Sequence, residues 1–370
     1  MATQEWQGIV NVTTKKYLKG SDDMTLRGRL MLSELKKRGR LMKGESGTSI
    51  TWALEFANPP VSSYGDGETI DFVARDKWRT LDVDWRSLYS TDAMSVKQVK
   101  MNTGTEAIVK RWGKLIPDLR KTMDNKVEAE LYTDGYASGN NNRFCGIESF
   151  CGVVTPVAAD IICAPSDTYG GKSTILGTYG GTWSADGTAP NAALANDWPN
   201  GTGSAEYDFL APKFPKWDST GWIGSGQTAW EDTCERVLRQ TTEWCHVVNG
   251  TEGELDVYLL NSALSVGYFN KQSAKQRIMV PWKTAEDLGF KGRSATQEGV
   301  GIMSGYGVPA NTFYGINFDQ MELRILGNDM YDVEGPNYED RSRSYLLSIF
   351  TDGNFTFNPK GFAKGKNFAV

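Results

Sequence analysis

The sequence predicts an α+β protein. Three observations carry that class: two period-two runs around a turn rich in Pro, Ser and Gly, one long amphipathic helix pattern over residues 105–133, and a middle and end where strand and helix patterns mix. Strand side chains change face every residue and helical ones return every ~3.6, so the two patterns are not interchangeable.

The first 43 residues are basic. Ten Lys and Arg stand against four Asp and Glu, a local balance of +6 in a chain that totals −5. Such a stretch is either a solvated tail or an arm lying along an acidic neighbour. Within it "MTLRGRLMLSELKKRGRLMKG" spaces Leu and Met closely enough to include a helix, and Arg38 and Arg40 lie in the same stretch. In "TSITWALEF" Ile50, Trp52, Leu54 and Phe56 then alternate with polar residues. After "NPPVSSYGDGE" come Ile70, Phe72 and, later, Leu81, Val83 and Trp85, with Trp78 among them. This reads as a long antiparallel hairpin, too long to bury both faces on its own domain.

The helix pattern sets Ile108, Trp112, Leu115, Leu119, Met123, Val127 and Leu131 three and four residues apart, with charges on the other face. If straight it would be roughly 40 Å long. Asp134-Gly135 ends it, and Pro117 is expected to kink or split it.

Residues 151–226 are rich in Gly, Ser, Thr, Asn and Pro, which predicts short strands and long loops. Here "DTYGGKSTILGTYGGTW" contains Gly171-Lys172-Ser173, the end of a phosphate-binding loop. That loop needs a first glycine where Ser166 stands, and a helix after it. The following residues are too rich in Gly, Thr and β-branching for a helix. Tyr169-Gly170-Gly171 returns as Tyr179-Gly180-Gly181, so the unit reads as a pair of aromatic-anchored turns. Beyond it, "TAWEDTCERVLRQTTEWCHVV" is a helix, "ELDVYLLN" a buried strand and "SALSVGYFNKQSA" a short helix. "RSYLLSIFTDGNFTFNP" reads as a hairpin turning at Asp352-Gly353.

Composition narrows the chemistry. A net charge of −5 argues against nucleic-acid binding as the main task. No apolar run is long enough to cross a membrane, and the start lacks a signal-peptide pattern. The five cysteines form no CxxC pair and read as reduced, buried thiols. His246 is the single histidine, and its neighbour Cys245 points away from it in a helix, which disfavours a ligand pair. A hydrolase or transferase would have to rely on carboxylates, yet Glu128 with Glu130, and Asp82 with Asp84, read as solvated faces. No catalytic residue, cofactor or metal is assigned. An adhesive or carbohydrate-binding β module fits the Trp-, Tyr- and Gly-rich middle, but the long helix counts against it.

The order of these parts resembles the tailed-bacteriophage major capsid proteins of the Hong Kong ninety-seven type. "LYTDGYASGNNNRFCGIESFCG" is similar to the end of that family's spine helix and the turn after it. "YGGKSTILGTYGGTW" and "AEYDFLAPKFPKWDSTGW" resemble segments of one branch of the family. "ELDVYLLNSALSVGYFNKQSAKQRIMV" and "GVGIMSGYGVPANTFYGINFDQMEL" resemble its central strand, helix and strand and the strand–turn–strand that follows.

The resemblance implies a layout: an N-terminal arm at 1–43, an E-loop hairpin at 44–102, a peripheral domain with the spine helix at 103–150, an axial domain at 151–326 and a return to the peripheral domain at 327–370. It implies a virion protein, assembled in the host bacterial cytoplasm, whose copies form hexamers and pentamers of an icosahedral shell around double-stranded DNA without reading its sequence. Scaffold, portal and decoration proteins are the further partners, with no membrane and no enzymatic role. Trp52, Phe56, Phe72, Trp78, Trp85, Arg38 and Arg40 are the expected inter-subunit contacts, with the arm as a strap rather than a DNA ligand. Some members cross-link a hairpin Lys to an Asn with help from a Glu. Lys77 is the one lysine in the hairpin proper, but Ser344 falls near the Asn position and Asp352 or Gly353 near the Glu, with Asn354 close by. A shell held without covalent bonds is therefore expected.

Overall fold

The computed structural model describes residues 30–55, 61–70, 72, 78–101, 111–153, 158, 161–163, 165–174, 210–223, 226–249, 254–273 and 295–367. Two five-stranded sheets organise them. The first contains β1 (Leu41–Glu45), β4 (Arg86–Ser95), β13 (Met321–Leu326), β14 (Asp332–Glu339) and β15 (Ser344–Phe357). The strand β15 is its axis. Its first half lies between β14 and β4, its second half pairs with β13, and β1 runs parallel to β13.

Against β4 and β15 packs α3 (Arg111–Glu130), the predicted long helix as far as it is described. Leu115, Leu119 and Met123, with Val127 and then Leu131, form its buried stripe at steps of four. It runs unbroken through Pro117, contrary to the expected split. Pro117 lies on the exposed face, where water can satisfy the carbonyl that the ring deprives of a partner. The short helix expected before the hairpin is α1 (Leu30–Lys37), and α2 (Val96–Met101) follows β4.

The second sheet runs β10 (Ala295–Gln297), β11 (Val300–Ser304), β9 (Val257–Leu260), β12 (Thr312–Ile316) and β16 (Phe362–Lys366). Its centre, β9, is parallel to β11 and antiparallel to β12. Every residue of β9 is buried because both faces are covered. Val257, Leu259, Tyr314 and Ile316 join the core that includes α3. Tyr258, Leu260 and Phe313 face the other way, into a core with α4 (Trp230–Asn249) and α5 (Ser262–Ser273).

Sheet membership does not follow chain order. The strand β13 precedes residue 327 but belongs to the first sheet, and β16 lies in the expected return segment but belongs to the second. Asp352-Gly353 is not a turn. The chain stays extended through both, with Asp352 opposite Ser87 and Gly353 opposite Arg86 and Ile325. A Cβ on Gly353 would sit 2.5 Å from the Arg324 carbonyl oxygen, so this glycine serves close approach of strands. The real turn lies at 340–343, between β14 and β15.

"YGGKS" is a small hairpin, with β6 (Thr168–Tyr169) paired to β7 (Lys172–Ser173). Gly170 and Gly171 have φ of 56° and 76°, the paired positive values of a two-residue hairpin turn. Tyr169 is fully buried, and its hydroxyl accepts from Phe357 N at 3.1 Å. The lysine thus sits on a strand and caps no phosphate cradle. The second Tyr-Gly-Gly lies outside the described residues.

All five cysteines are free and buried. Burial lifts the Cys234 and Cys245 thiols to about 11, so they stay protonated at neutral pH. Cys245 faces the core while His246 is exposed and 3.2 Å from Glu254, so the adjacent pair does point apart. Among the described residues no cluster of His, Cys, Asp and Glu could hold a metal, and no helix is long and apolar enough to cross a membrane.

Candidate assembly surfaces

The predicted hairpin forms from β2 (Ser49–Glu55) and β3 (Trp78–Asp84), paired antiparallel from Ser49 opposite Asp84 to Glu55 opposite Trp78. Its root belongs to this chain. Ile50, Leu81 and Val83 are buried, as their shared phase requires. Asp82 N donates to Gly170 O at 3.2 Å, and a Cβ on Gly170 would meet Leu81 Cδ2 at 2.9 Å. Trp52 is half-buried, 6.2 Å between ring centres from Tyr169, and Trp85 Nε1 donates to Gly47 O at 3.1 Å. Both tryptophans, expected to face a neighbour, have contacts within their own chain.

Further out the hairpin is exposed. Val61 is 97% accessible, Phe72 92% and Tyr64 72%, with Ile70 and Trp78 exposed beside them. Phe56 and Lys77 lie outside the described residues. Single exposed apolar residues are ordinary, but these five stand close together within residues 61–78.

Arg38 and Arg40 are also occupied at home. Arg38 Nη1 and Nη2 donate to Asp256 at 3.3 and 3.0 Å, Nε donates to Glu34 at 2.9 Å, and the guanidinium lies over the Phe318 ring. Burial opposes its charge, but the Glu34 and Asp256 carboxylates outweigh that and raise its pKa. Arg40 pairs with Asp319 at 2.9 Å and Glu322 at 3.3 Å. The two arginines tie the start of the chain to Asp256 before β9, to the connection after β12 and to β13.

Four polar devices were not anticipated. Glu128, read as solvated, is buried and accepts from Met31 N at 3.1 Å and Leu32 N at 2.9 Å, capping the first turn of α1. Glu130 is fully buried against Arg143 and Lys126. Asp82 and Asp84 are exposed, as expected. The phase of Glu128 was a usable signal, because it lies beside Val127 and three residues before Leu131 on the buried stripe. Arg86, at the start of β4, donates from one nitrogen to the carbonyls of Gly135, Asn140 and Arg143, pinning the loop that follows α3. It too is in phase with buried Leu88 and Met94. Finally Glu148 accepts from Lys364 Nζ at 2.6 Å and from the Tyr314 hydroxyl, linking the segment after α3 to β12 and β16. Burial works against the Lys364 charge, but nearby negative groups, Glu148 included, raise its pKa, while burial raises that of Tyr314.

The cross-linking positions are equally informative. Asn354 is buried, accepts from Cys145 N at 2.8 Å and donates to Asp84 O at 2.9 Å. Ser344 is buried and bonded to Ser342. Ser344, at the expected acceptor position, has no amide, and Asn354 is consumed inside the subunit.

No protein-family model matches the chain, and no curated protein matches it. Solved structures do. The capsid asymmetric unit of cyanophage A-1(L) superposes with a TM-score of 0.62 over 96% of both chains at 12% identity. The capsid of a native GTA particle gives 0.58 over 96% of this chain and 94% of that one at 10% identity. The capsid of Myoviridae phage XM1 gives 0.52 over 96% and 97% at 9% identity. The fold is that of the tailed-phage major capsid proteins.

Proposed function

We propose that this chain is the repeating shell subunit of a phage head, gathering into hexamers and pentamers that close as an icosahedral shell around double-stranded DNA. The observation that carries the reading is the agreement with capsid chains along nearly the full length of both partners. The exposed apolar hairpin end supports it, since a lone subunit gains nothing by displaying Phe72, Tyr64 and Val61 to water. In a ring of identical chains each contact joins two different surfaces, which suits a subunit with a projecting element. The role is structural rather than enzymatic. Scaffold, portal and decoration proteins are the accessory partners, and assembly takes place in the bacterial cytoplasm. The shell is non-covalent, because the expected acceptor position holds Ser344, which has no amide to displace, and Asn354 is committed inside the subunit.

Negative-stain microscopy of the purified chain tests this. Shells, tubes or hexameric rings are expected, and a chain that remains monomeric at high concentration overturns the reading. On a denaturing gel the particles should run as one band near 40.9 kDa. A ladder resistant to boiling and reductant would overturn the non-covalent part alone.

A further inference from the structure

An Asp-Gly step is the place where a backbone rearranges most readily, because glycine puts no side chain in the way of its own amide nitrogen. Three such steps lie among the described residues: Asp66-Gly67, Asp134-Gly135 and Asp352-Gly353. Asp186-Gly187 lies outside them.

Two of the three are held fast. Gly135 N donates to Ser149 Oγ at 2.9 Å, and a Cβ on Gly135 would lie 2.8 Å from both Arg86 Nη1 and Cys145 Sγ. Asp352 and Gly353 lie inside the first sheet, opposite Ser87 and Arg86 on β4, with Gly353 also opposite Ile325 on β13. The third is open. Asp66 and Gly67 are the central pair of a turn closed by Glu68 N donating to Gly65 O at 3.1 Å. Asp66 is exposed, and nothing lies within 4 Å of the place a Cβ on Gly67 would take. Among the described residues no hydrogen bond holds the Asp66 carboxylate or the Gly67 N–H.

We propose that Asp66-Gly67 is the site at which the folded chain isomerises to isoaspartate. The Gly67 nitrogen bonds to Cγ of the protonated Asp66 carboxyl, and the amide hydrogen and the carboxyl OH leave together as water. A second water then opens the succinimide ring. Attack at Cγ restores aspartate. Attack at the Asp66 main-chain carbonyl breaks its bond to the Gly67 nitrogen, so the chain now runs through Cγ and the old carbonyl carbon becomes a free carboxylate. One water leaves and one returns, and nothing is oxidised or reduced. The backbone gains one carbon inside the ring that Glu68 N closes on Gly65 O. Ring closure requires the Asp66 peptide unit to swing toward its own side chain. An exposed turn permits this by local fluctuation, whereas the sheet and the Ser149 bond must first open.

Ageing the purified full-length chain at neutral pH and physiological temperature tests this. Isoaspartate is located by peptide mapping, and by methyl transfer from labelled S-adenosylmethionine with an isoaspartyl carboxyl methyltransferase. Residue 66 should carry at least about tenfold more isoaspartate than residue 134 or 352, at unchanged mass, because only the latter two need a local opening. In urea the three should react at similar rates. Asp66→Glu keeps the charge but demands a larger ring, and should remove the signal at that position. Equal accumulation at 134 or 352 in the folded chain would overturn the proposal. So would an unreacted Asp66 in the folded chain when the isolated peptide spanning residues 62–70 reacts, or a signal that survives Asp66→Glu. A selectivity that persists in urea would trace it to local sequence and overturn the argument from the fold.

Discussion

The root and the end of one hairpin have opposite environments. At the root, Ile50, Leu81 and Val83 are buried and the Gly170 turn presses against Leu81. At the end, Val61, Tyr64, Ile70 and Phe72 meet water. Both stretches carry large apolar side chains, so the presence of such residues does not by itself separate them. The difference is whether this chain supplies the covering surface. Burial at the root stabilises the subunit, and exposure at the end leaves energy to be gained on association.

The comparison can be broken most forcefully at the root. Leu81→Ala removes a buried side chain against a rigid turn and should cost about 3 kcal/mol in urea unfolding of the monomer. A loss below about 1 kcal/mol would mean that the root is as loosely held as the end. Arg86→Ala comes next. It strips the donor from the carbonyls of Gly135, Asn140 and Arg143, at about 2 kcal/mol for the unsatisfied groups, measurable as a lower denaturation midpoint at unchanged slope.

A pH series probes the buried interior as a whole. Burial raises the pKa of Tyr132, Tyr169, Tyr258 and Tyr314, and the pKa of Lys364 is also raised. A raised folded-state pKa gives stability that is complete below the unfolded value and lost as pH climbs through the folded one. The melting temperature should therefore decline once pH passes the ordinary tyrosine value of about 10, and Tyr314→Phe should soften that decline. A melting temperature that is flat to pH 11, roughly one unit above that value, would contradict these shifts. The smallest effect on the subunit belongs to the hairpin end. Phe72→Ser with Tyr64→Ser should change monomer stability by less than about 0.5 kcal/mol while lowering the assembled fraction seen by light scattering. A destabilised monomer, or normal assembly, would erase the distinction between the two ends.

The periodic elements are legible in the sequence. The hairpin, the long helix, β9 and α5 announce themselves through spacing, and the Tyr-Gly-Gly turn through its glycines. What escaped depends on distant chain. Asp352-Gly353 has turn chemistry, yet its glycine answers to the Arg324 backbone brought alongside by folding. Arg86 and Glu128 look like surface charges until the carbonyls of one loop and the first turn of another helix surround them. The exchange of β13 and β16 between sheets leaves no local trace, because pairing across hundreds of residues has no periodicity to read.

That exchange bears on how the molecule is made. Leu41 waits for Leu323, and the second sheet waits for β16 at Phe362–Lys366 before β12 has its outer neighbour. A chain emerging from the ribosome therefore carries an unfinished first sheet until Phe357 is out and an unfinished second sheet until Lys366 is out. It cannot fold one lobe at a time, as chains with self-contained domains do. Completion of both sheets is thus late in the synthesis of these residues.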